Sequence, residues 1–199
     1  MNSTPPARRP WTPYPWELIL LLWFAFFLNQ ADRQIYNNLL PLIQKDLGLS
    51  KVQLGLVASL FTLAYGLMVP VAGYAGDVLR RKWIVFGSLL FWSAATLATG
   101  FCGGVFSLIL FRGLATGGGE AFYYPSANSL IGQFHHRTRA MAMAIHQTAL
   151  YVGIVTSFVA GYVGEAMGWR SAFFLFGSAG IVMAGIIFFR MEDTPIKVS

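Results

Sequence analysis

Four charged side chains stand inside apolar runs, where charges are rare. The stretch LNQADRQIYNN, residues 28–38, places Asp32 and Arg33 directly after the apolar run LILLLWFAFFL, and a later apolar run contains Arg112 and Glu120. A guanidinium group offers two parallel donors to a carboxylate or a phosphate, and a desolvated carboxyl group can bind a proton reversibly. If these residues face one another inside a membrane, they could bind an anion and exchange a proton.

The composition indicates a membrane protein. Of the 199 residues, 56% are hydrophobic and only 11% are charged, whereas soluble domains carry about 25% charged residues. Six apolar runs reach the length of about 20 residues that crosses a bilayer. They lie at roughly 16–40, 52–76, 83–102, 105–131, 140–163 and 170–190. We therefore expect an all-α membrane protein with six transmembrane helices.

The basic residues predict the orientation, because Lys and Arg concentrate in cytoplasmic loops. One side of a six-helix topology carries Arg8, Arg9, Arg80, Arg81, Lys82, Arg137, Arg139, Arg190 and Lys197, and the other side carries Lys45, Lys51 and Arg170. Both termini are expected in the cytoplasm, with residues 1–15 as one tail and 191–199 as a second tail or the start of a linker. The expected location is a bacterial inner (plasma) membrane.

Composition also excludes several kinds of partner. The net charge of +6 indicates contact with anionic lipid, and no base-reading motif accompanies it, so nucleic-acid binding is not expected. The single Cys102 excludes an internal disulfide and a Cys-based metal site. No metal or cofactor is expected, and too few Asp, Glu and His residues are present for a hydrolase site, so an enzyme is not expected.

The polar stretch is predicted to continue the first helix rather than to end it. Eleven apolar residues rise about 16 Å as a helix, against a hydrocarbon core of about 30 Å. No Gly or Pro interrupts residues 16–40, which precede Pro41. On a helix the polar side chains share one face, formed by Asn29, Asp32, Arg33, Tyr36 and Asn37. The opposite, lipid-facing side would be formed by Leu28, Ala31, Ile35 and Leu39.

Depth in the bilayer predicts which charges pair. With each helix centred on the midplane, Asp32 lies about 6 Å and Arg112 about 9 Å to the outside, and Glu120 about 3 Å to the inside. Asp32 and Arg112 are therefore the expected structural charge pair. Arg33 and Glu120 would lack a close fixed partner, as in a binding site. A plainer alternative is that Asp32 and Arg33 only hold helices together.

Further polar residues on these helices complete the predicted site. The expected substrate-binding residues are Arg33, Tyr36, Asn37, Tyr123 and Tyr124. His146, in the fifth apolar run, either bonds a neighbouring helix or relays protons together with Glu120, because His titrates near physiological pH. The glycines around Glu120 predict close helix packing; they are Gly113, Gly117, Gly118 and Gly119.

The chain resembles itself at an offset of 88 residues. The string GYAGDVLRRK begins at Gly73 and GYVGEAMGWR begins at Gly161, and the same offset aligns Asp32 with Glu120. The two units cover about 16–102 and 105–190. Each unit holds three helices, so an odd number of crossings inverts the second unit relative to the first. Inverted three-helix repeats are typical of transporters with a site near the midplane.

The string GYAGDVLRRK resembles a loop of the major facilitator superfamily, whose pattern is G-x-x-x-D-[RK]-x-G-[RK]-[RK]. The matching residues are Gly73, Asp77, Arg81 and Lys82, and the departures are Val78 and Arg80. The strings RGLATGGGEA, GWR and EDTP also resemble family patterns, and the similarity covers nearly all of residues 16–195. The resemblance implies one six-helix half of a major facilitator fold, built from the two inverted repeats.

The same resemblance implies a gating role for this loop, in which Asp77 and Arg81 hold the two transporter halves together in one gating state. Asp77 also needs compensation on physical grounds, because it lies near the negative end of its helix dipole. Either Arg81, four residues on, or the N-terminus of a neighbouring helix would serve.

Within the superfamily, NQADRQIYNNLLPLIQKDLGLSKVQLG and GGGEAFYYPSANSL resemble the anion:cation symporter branch. In that branch the Arg similar to Arg33 contacts the anion, and the Glu similar to Glu120 takes the coupling proton. The resemblance therefore implies proton-coupled transport of a small organic anion by alternating access. The Gly-Pro pattern of antiporters is absent from AIHQTALYVGIVTSFVAGY. The implied partners are the anion, the proton, the bilayer and a second six-helix half.

Two alternatives stay open. The loop also resembles the spinster-like branch, which implies transport of a lysolipid or other amphipathic cargo. The second alternative starts from length, because family members have two six-helix halves. The chain would then be a truncated or dimerising half-transporter or a non-transporting membrane scaffold. Six helices alone would expose polar faces to lipid at a high cost, so a partner half is expected.

Overall fold

A computed structural model describes residues 14–192, which form six helical segments. Five are single helices: α1 Tyr14–Leu47, α2 Lys51–Val78, α3 Arg81–Thr99, α5 Arg139–Met167 and α6 Trp169–Arg190. The fourth, α4, joins Val105–Leu108, Ile109–Thr116, Gly117–Glu120 and Tyr123–Phe134. The expected all-α architecture of six helices is confirmed. Most of both predicted tails, with Arg8, Arg9 and Lys197, lies outside the described residues.

The helices have the length and composition of membrane spans. Among the described helices, α2, α3, α5 and α6 are each long and apolar enough to cross a bilayer. α1 carries the polar stretch, and α4 is divided into pieces. With 34 residues, α1 is about 51 Å long, which exceeds the hydrocarbon core of about 30 Å. α1 therefore extends beyond the hydrocarbon core.

α1 runs without a break through the polar stretch, as predicted, and passes Pro41 to end at Leu47. Its apolar side, however, packs inside the bundle, so the expected lipid-facing side is wrong. Ala31, Ile35 and Leu39 are fully buried. A helix surface facing lipid and one facing another helix are equally apolar, so the sequence pattern cannot distinguish them.

A glycine of α5 is the reason that α1 can be covered on this side. A Cβ atom at Gly153 would lie 2.8 Å from Gln30 Cβ and 3.0 Å from the Ala31 backbone nitrogen. The Asn38 amide also donates to Ser157 Oγ at 2.9 Å. α5 therefore lies directly on the backbone of α1, where the sequence analysis had placed lipid.

The helices pair in a pattern that the internal repeat explains. α1 packs mainly along α5, α4 packs along α2, and α3 packs against α6, while α2 and α3 make few contacts with each other. Exchanging the two three-helix units swaps the first two pairings and leaves the third unchanged. Two inverted units related by a two-fold axis would pack in this way.

Glycines of α4 allow α2 and α3 each to pack closely against α4, as the sequence predicted. A Cβ atom at Gly117 would lie 2.5 Å from the Phe61 carbonyl oxygen, and one at Gly119 would lie 2.6 Å from Phe91 Cδ1. The sequence did not predict that Ile109–Thr116 winds as a π-helix. Such π-helical turns are frequent at functional sites.

Asp46, near the end of α1, links α1 to the start of α6. Its carboxylate accepts hydrogen bonds from Trp169 Nε1 at 3.0 Å and from Arg170, and Arg170 also donates to the Cys102 carbonyl oxygen. The bond from Trp169, followed by that from Arg170, lowers the pKa of Asp46. These contacts therefore stabilise the fold at pH values above the ordinary pKa of Asp. That stabilisation is lost as the pH falls through the lowered pKa of Asp46.

We predict that Gly117→Ala destabilises the bundle by about 1–3 kcal/mol, because the added methyl group overpacks the α2–α4 contact. Thermal unfolding in detergent, followed by circular dichroism, measures the effect. The matched control is Gly185→Ala on α6, where a Cβ atom contacts nothing within 4 Å. Equal midpoints for the two variants would contradict the prediction.

Candidate binding site

Among the ion pairs within residues 14–192, the most enclosed joins Asp32 of α1 to Arg112 of α4. The depth argument placed these two residues together. Arg112 Nη1 donates to Asp32 Oδ2 at 2.6 Å, and Nη2 donates to the Asp32 carbonyl oxygen at 2.9 Å. Both side chains are buried. Thr96 of α3 donates its hydroxyl to Asp32 Oδ1 at 2.9 Å. Both carboxylate oxygens therefore have donors, which a charge at this depth requires.

Arg33 and Glu120 form a second ion pair, so the expectation that neither would have a close fixed partner is wrong. Arg33 Nε donates to Glu120 Oε2 at 2.6 Å. The depth estimate compared backbone positions, and the long Arg stem covers the remaining difference in depth. The Glu120 side chain is fully buried, whereas 29% of the Arg33 side chain is exposed. Arg33 is therefore paired with the buried Glu120 while part of its own side chain stays exposed.

Glu120 differs from Asp32 in how its carboxylate is satisfied. Oε1 of Glu120 is buried and has no hydrogen-bond partner within residues 14–192. A buried carboxylate oxygen without a donor is costly, and a bound proton would reduce that cost by removing the charge. The two acids that the repeat aligns therefore have different surroundings.

A cavity of about 200 Å³ opens beside the two arginines. It is lined by Arg33, Tyr36, Asn37, Val57, Ala58, Phe61, Thr62 and Arg112. The Phe61 ring lies 5.6 Å from Arg33 Cζ and 5.3 Å from Arg112 Cζ, and the Tyr65 ring lies 4.4 Å from Arg33 Cζ. At such distances aromatic faces attract cations. Two arginines, each with its guanidinium group beside an aromatic ring, therefore line the wall of the cavity.

The cavity brings together three of the predicted substrate-binding residues, Arg33, Tyr36 and Asn37. The Tyr36 hydroxyl donates to the Leu54 carbonyl oxygen at 3.0 Å. Asn37 is exposed, and its amide donates to Gln34 at 3.3 Å. The other two predicted residues, Tyr123 and Tyr124, are not among the residues that line the cavity.

Tyr123, Tyr124 and His146 form an aromatic cluster with Phe26, whose ring stacks 4.7 Å from the imidazole. The Tyr123 hydroxyl donates to the Leu22 carbonyl oxygen at 2.5 Å and lies 3.1 Å from His146 Nε2. Since its one proton points to that carbonyl, the imidazole Nε2 must be the donor to Tyr123. His146 thus bonds a neighbouring helix, and its buried Nδ1 has no partner among the described residues.

The predicted gating loop joins α2 to α3. Gly73 and Asp77 lie in the last turns of α2, and Arg81 and Lys82 begin α3. Across residues 14–192 no ion pair joins Asp77 to Arg81, and Arg81 Nε is buried without a hydrogen-bond partner there. Of the two expected sources of compensation for Asp77, Arg81 does not supply it in this conformation. The gating role stays a prediction.

Sequence reasoning missed Thr96, Phe61 and Tyr65. The depth estimate that paired Asp32 with Arg112 could have found Thr96. With α3 centred near Trp92, Thr96 lies about 6 Å outside the midplane, the depth of Asp32. Phe61 and Tyr65 gave no comparable signal, because aromatic residues are common on every helix of this chain.

Comparisons with known proteins agree on one family. A family model described as Major Facilitator Superfamily matches residues 22–199. The probable sulfoacetate transporter SauU of Cupriavidus necator is 32% identical over 87% of this chain and 41% of its own length. Protein spinster homolog 1 of Homo sapiens is 31% identical over 89% of this chain and 34% of its own length.

A solved structure is also similar. It is described as a bacterial homolog to the human lysosomal transporter spinster, in an inward-facing and unoccupied conformation. The TM-score is 0.84 at 26% sequence identity, and the match covers 96% of this chain and 46% of that one. The chain thus spans less than half the length of each of these relatives.

We predict that Asp32→Asn and Arg112→Leu each destabilise the bundle by about 3–5 kcal/mol, because each leaves one buried charge uncompensated. The double variant should recover most of that loss. Chemical unfolding in mixed micelles gives the three free energies, and additive effects in the double variant would contradict a direct pair.

We predict that Thr96→Val costs about 1.5–3 kcal/mol, because Asp32 Oδ1 loses its donor. Thr96→Ser keeps a hydroxyl at the same place and should retain most of the stability. The same unfolding measurement applies. If serine were as damaging as valine, packing of the methyl group would be the cause instead.

Proposed function

This chain belongs to the Major Facilitator Superfamily, and on that premise we propose that it acts in proton-coupled transport of a small organic anion by alternating access. It is an integral membrane protein of a transporter family and not an enzyme. The observation that carries the proposal is the Arg33–Glu120 ion pair, in which a partly exposed arginine beside a cavity is paired with a fully buried acid.

The charges at the site explain why a proton and an anion would bind together. Arg33, Arg112, Asp32 and Glu120 sum to zero when both acids are ionised. Protonation of Glu120 breaks its ion pair and leaves one positive charge on Arg33, at the cavity. An anionic carboxylate or sulfonate group then accepts hydrogen bonds from the freed Arg33 guanidinium and returns the net charge of the site to zero. Each ligand therefore favours binding of the other.

Neutrality also links binding to movement. A site with one uncompensated buried charge is costly in an apolar phase. The closed state is therefore disfavoured when only the proton or only the anion is bound. With both ligands bound, or with neither, the charges cancel, and the bundle can move so that the site opens to the other side of the membrane. Asp32 and Arg112 remain paired throughout, because Thr96 and Arg112 satisfy both oxygens of that carboxylate.

The similarity to SauU supports the class of substrate. Its printed name specifies sulfoacetate, which carries a carboxylate and a sulfonate and so has two negative charges. The proton on Glu120 balances one of them, and a second proton would be needed to keep the loaded site neutral. Two guanidinium groups line the cavity of this chain, and planar anionic groups of this kind suit them. We therefore propose a small anion of this size as substrate, with Arg33 as the first contact.

A second candidate is amphipathic cargo such as a lysolipid. The similarity to spinster homolog 1 and to the solved spinster-like structure favours it. The aromatic cluster of Phe26, Tyr123 and Tyr124 would then contact the cargo. In the present conformation Tyr123 is fully buried in helix packing, so this candidate needs that cluster to open.

A second six-helix half, in the same chain or in another copy, is the proposed partner. α2 supports this, because Leu54, Val57 and Ala72 are its only buried residues in the described structure, although its inner side borders the cavity. Sizing in detergent tests the proposal. A stably folded chain that stays monomeric, without a second half in the same polypeptide, would favour a non-transporting scaffold.

We predict that Glu120→Gln abolishes proton-driven uptake and spares exchange of anion, because the amide keeps the side-chain volume but cannot take up a proton. Proteoliposomes with an imposed pH gradient, supplied with radiolabelled sulfoacetate or with a radiolabelled lysolipid, separate the two candidate substrates. The control is Glu165→Gln, at an exposed position of α5, which should behave like the unmodified protein. Uptake by Glu120→Gln with unchanged pH dependence would refute the proton-coupling role.

A further inference from the structure

The helical register of α4 changes between its two charged residues. Ile109–Thr116 forms a π-helix, and Gly117–Glu120 returns to an α-helix. Arg112 lies inside the π-helix, and Glu120 follows it by eight residues. Both side chains are buried, and both pair with residues of α1. The register of the segment between them therefore decides whether they face the same neighbouring helix.

A regular α-helix would turn Glu120 away from the face that carries Arg112. Four residues of an α-helix advance about 40° beyond one full turn, so eight residues advance about 80° beyond two turns. For a side chain that reaches about 5 Å from the helix axis, a rotation of about 80° is a displacement of about 6 Å. That displacement exceeds the 2.6 Å that separates Arg33 Nε from Glu120 Oε2.

The π-helix removes much of this rotation. A π turn holds more residues than an α turn, because its hydrogen bonds join residues five apart rather than four. The four residues from Arg112 to Thr116 therefore make about one full turn, and the offset between Arg112 and Glu120 falls to about 40°. The glycines of the segment follow the same register. Gly113 and Gly117 are also four residues apart, and a Cβ atom at either would lie against a backbone carbonyl of α2.

Thr116 supports the π-helix through its side chain. It is fully buried, and its hydroxyl donates to the Phe111 carbonyl oxygen, five residues earlier, at 2.8 Å. In an α-helix a threonine hydroxyl reaches the carbonyl three or four residues back. The hydroxyls of Thr62 and Thr99 each donate to the carbonyl four residues back. The bond from Thr116 therefore belongs to the π register.

We propose that Thr116 is a positioning residue for Glu120, because its hydroxyl favours the π register that turns the Glu120 carboxylate to Arg33. The Asp32–Arg112 pair fixes one end of the segment, so a change of register moves Glu120 rather than Arg112. The consequence for transport rests on the function proposed above. The positioning itself is measurable on the purified protein without transport.

Double-variant cycles of the unfolding free energy, measured in mixed micelles at neutral pH, test the proposal. One cycle combines Arg33→Gln with Glu120→Gln, and the other combines Asp32→Asn with Arg112→Leu. In the Thr116→Val background we expect the Arg33–Glu120 coupling to fall by about half or more, and the Asp32–Arg112 coupling to stay unchanged. Thr116→Ser keeps a hydroxyl and should retain both couplings.

Three results of these cycles overturn the proposal. They are an unchanged Arg33–Glu120 coupling in Thr116→Val, an equal loss of both couplings, and a loss with serine as large as that with valine. The cycles use no substrate. A failure of the unmodified protein to transport anions would therefore contradict the proposed function and leave the positioning role standing.

Deletion of Ala115 tests the register itself and does not depend on the folding of the valine variant. It leaves Arg112 and Glu120 seven residues apart, about 20° short of two turns of a regular α-helix, so the Arg33–Glu120 coupling should survive without a π-helix. In this shortened chain Thr116→Val should no longer lower the coupling. Loss of the coupling on deletion of Ala115 overturns the proposal.

Deletion of Ile154 is the matched control, because α5 is a regular helix at this point. It turns Ser157 and Gly164 away from their contacts with α1, so we expect a much larger drop in the unfolding midpoint than with deletion of Ala115. Equal destabilisation by the two deletions also overturns the proposal, since the π-helix would then hold no surplus residue.

Discussion

The requirement that every charge in an apolar phase be paired is the constraint on which this bundle depends. The two central ion pairs cross between the repeats: Asp32 of the first unit accepts from Arg112 of the second, and Glu120 of the second accepts from Arg33 of the first. α1 and α4 otherwise pack mainly on other helices. Each unit thus supplies the counter-charge that the other needs, and neither could stay in the bilayer alone at low cost.

The two acids that the repeat aligns have different surroundings. Asp32 has a donor on each carboxylate oxygen, from Thr96 and from Arg112. Glu120 has a donor on one oxygen only, within residues 14–192. The repeat places both acids at the polar face, but α3 gives Asp32 a hydroxyl that no described residue gives Glu120. Neighbouring helices, rather than the acids themselves, therefore determine whether both carboxylate oxygens of each acid have donors.

The sequence predicted those features that depend on backbone spacing. A helix through residues 28–38, six crossings and close packing at Gly117 follow from helical rise and residue size. The Arg33–Glu120 contact was missed because side-chain reach exceeds the resolution of a rise estimate. The burial of Ile35 was missed because an apolar side looks the same against lipid and against a helix. The π-helix in α4 was missed because hydrogen-bond register leaves no trace in an apolar pattern.

The divided fourth segment is where these features meet. Glu120 is the last residue of Gly117–Glu120, directly before the turn that separates this piece from Tyr123–Phe134. One face of α4 borders the cavity through Arg112, and Gly117 and Gly119 let other faces pack against α2 and α3. A helix with interrupted hydrogen bonding and little side-chain bulk resists bending least. Loss of the Arg33–Glu120 pair would therefore act on a segment of α4 that bends easily.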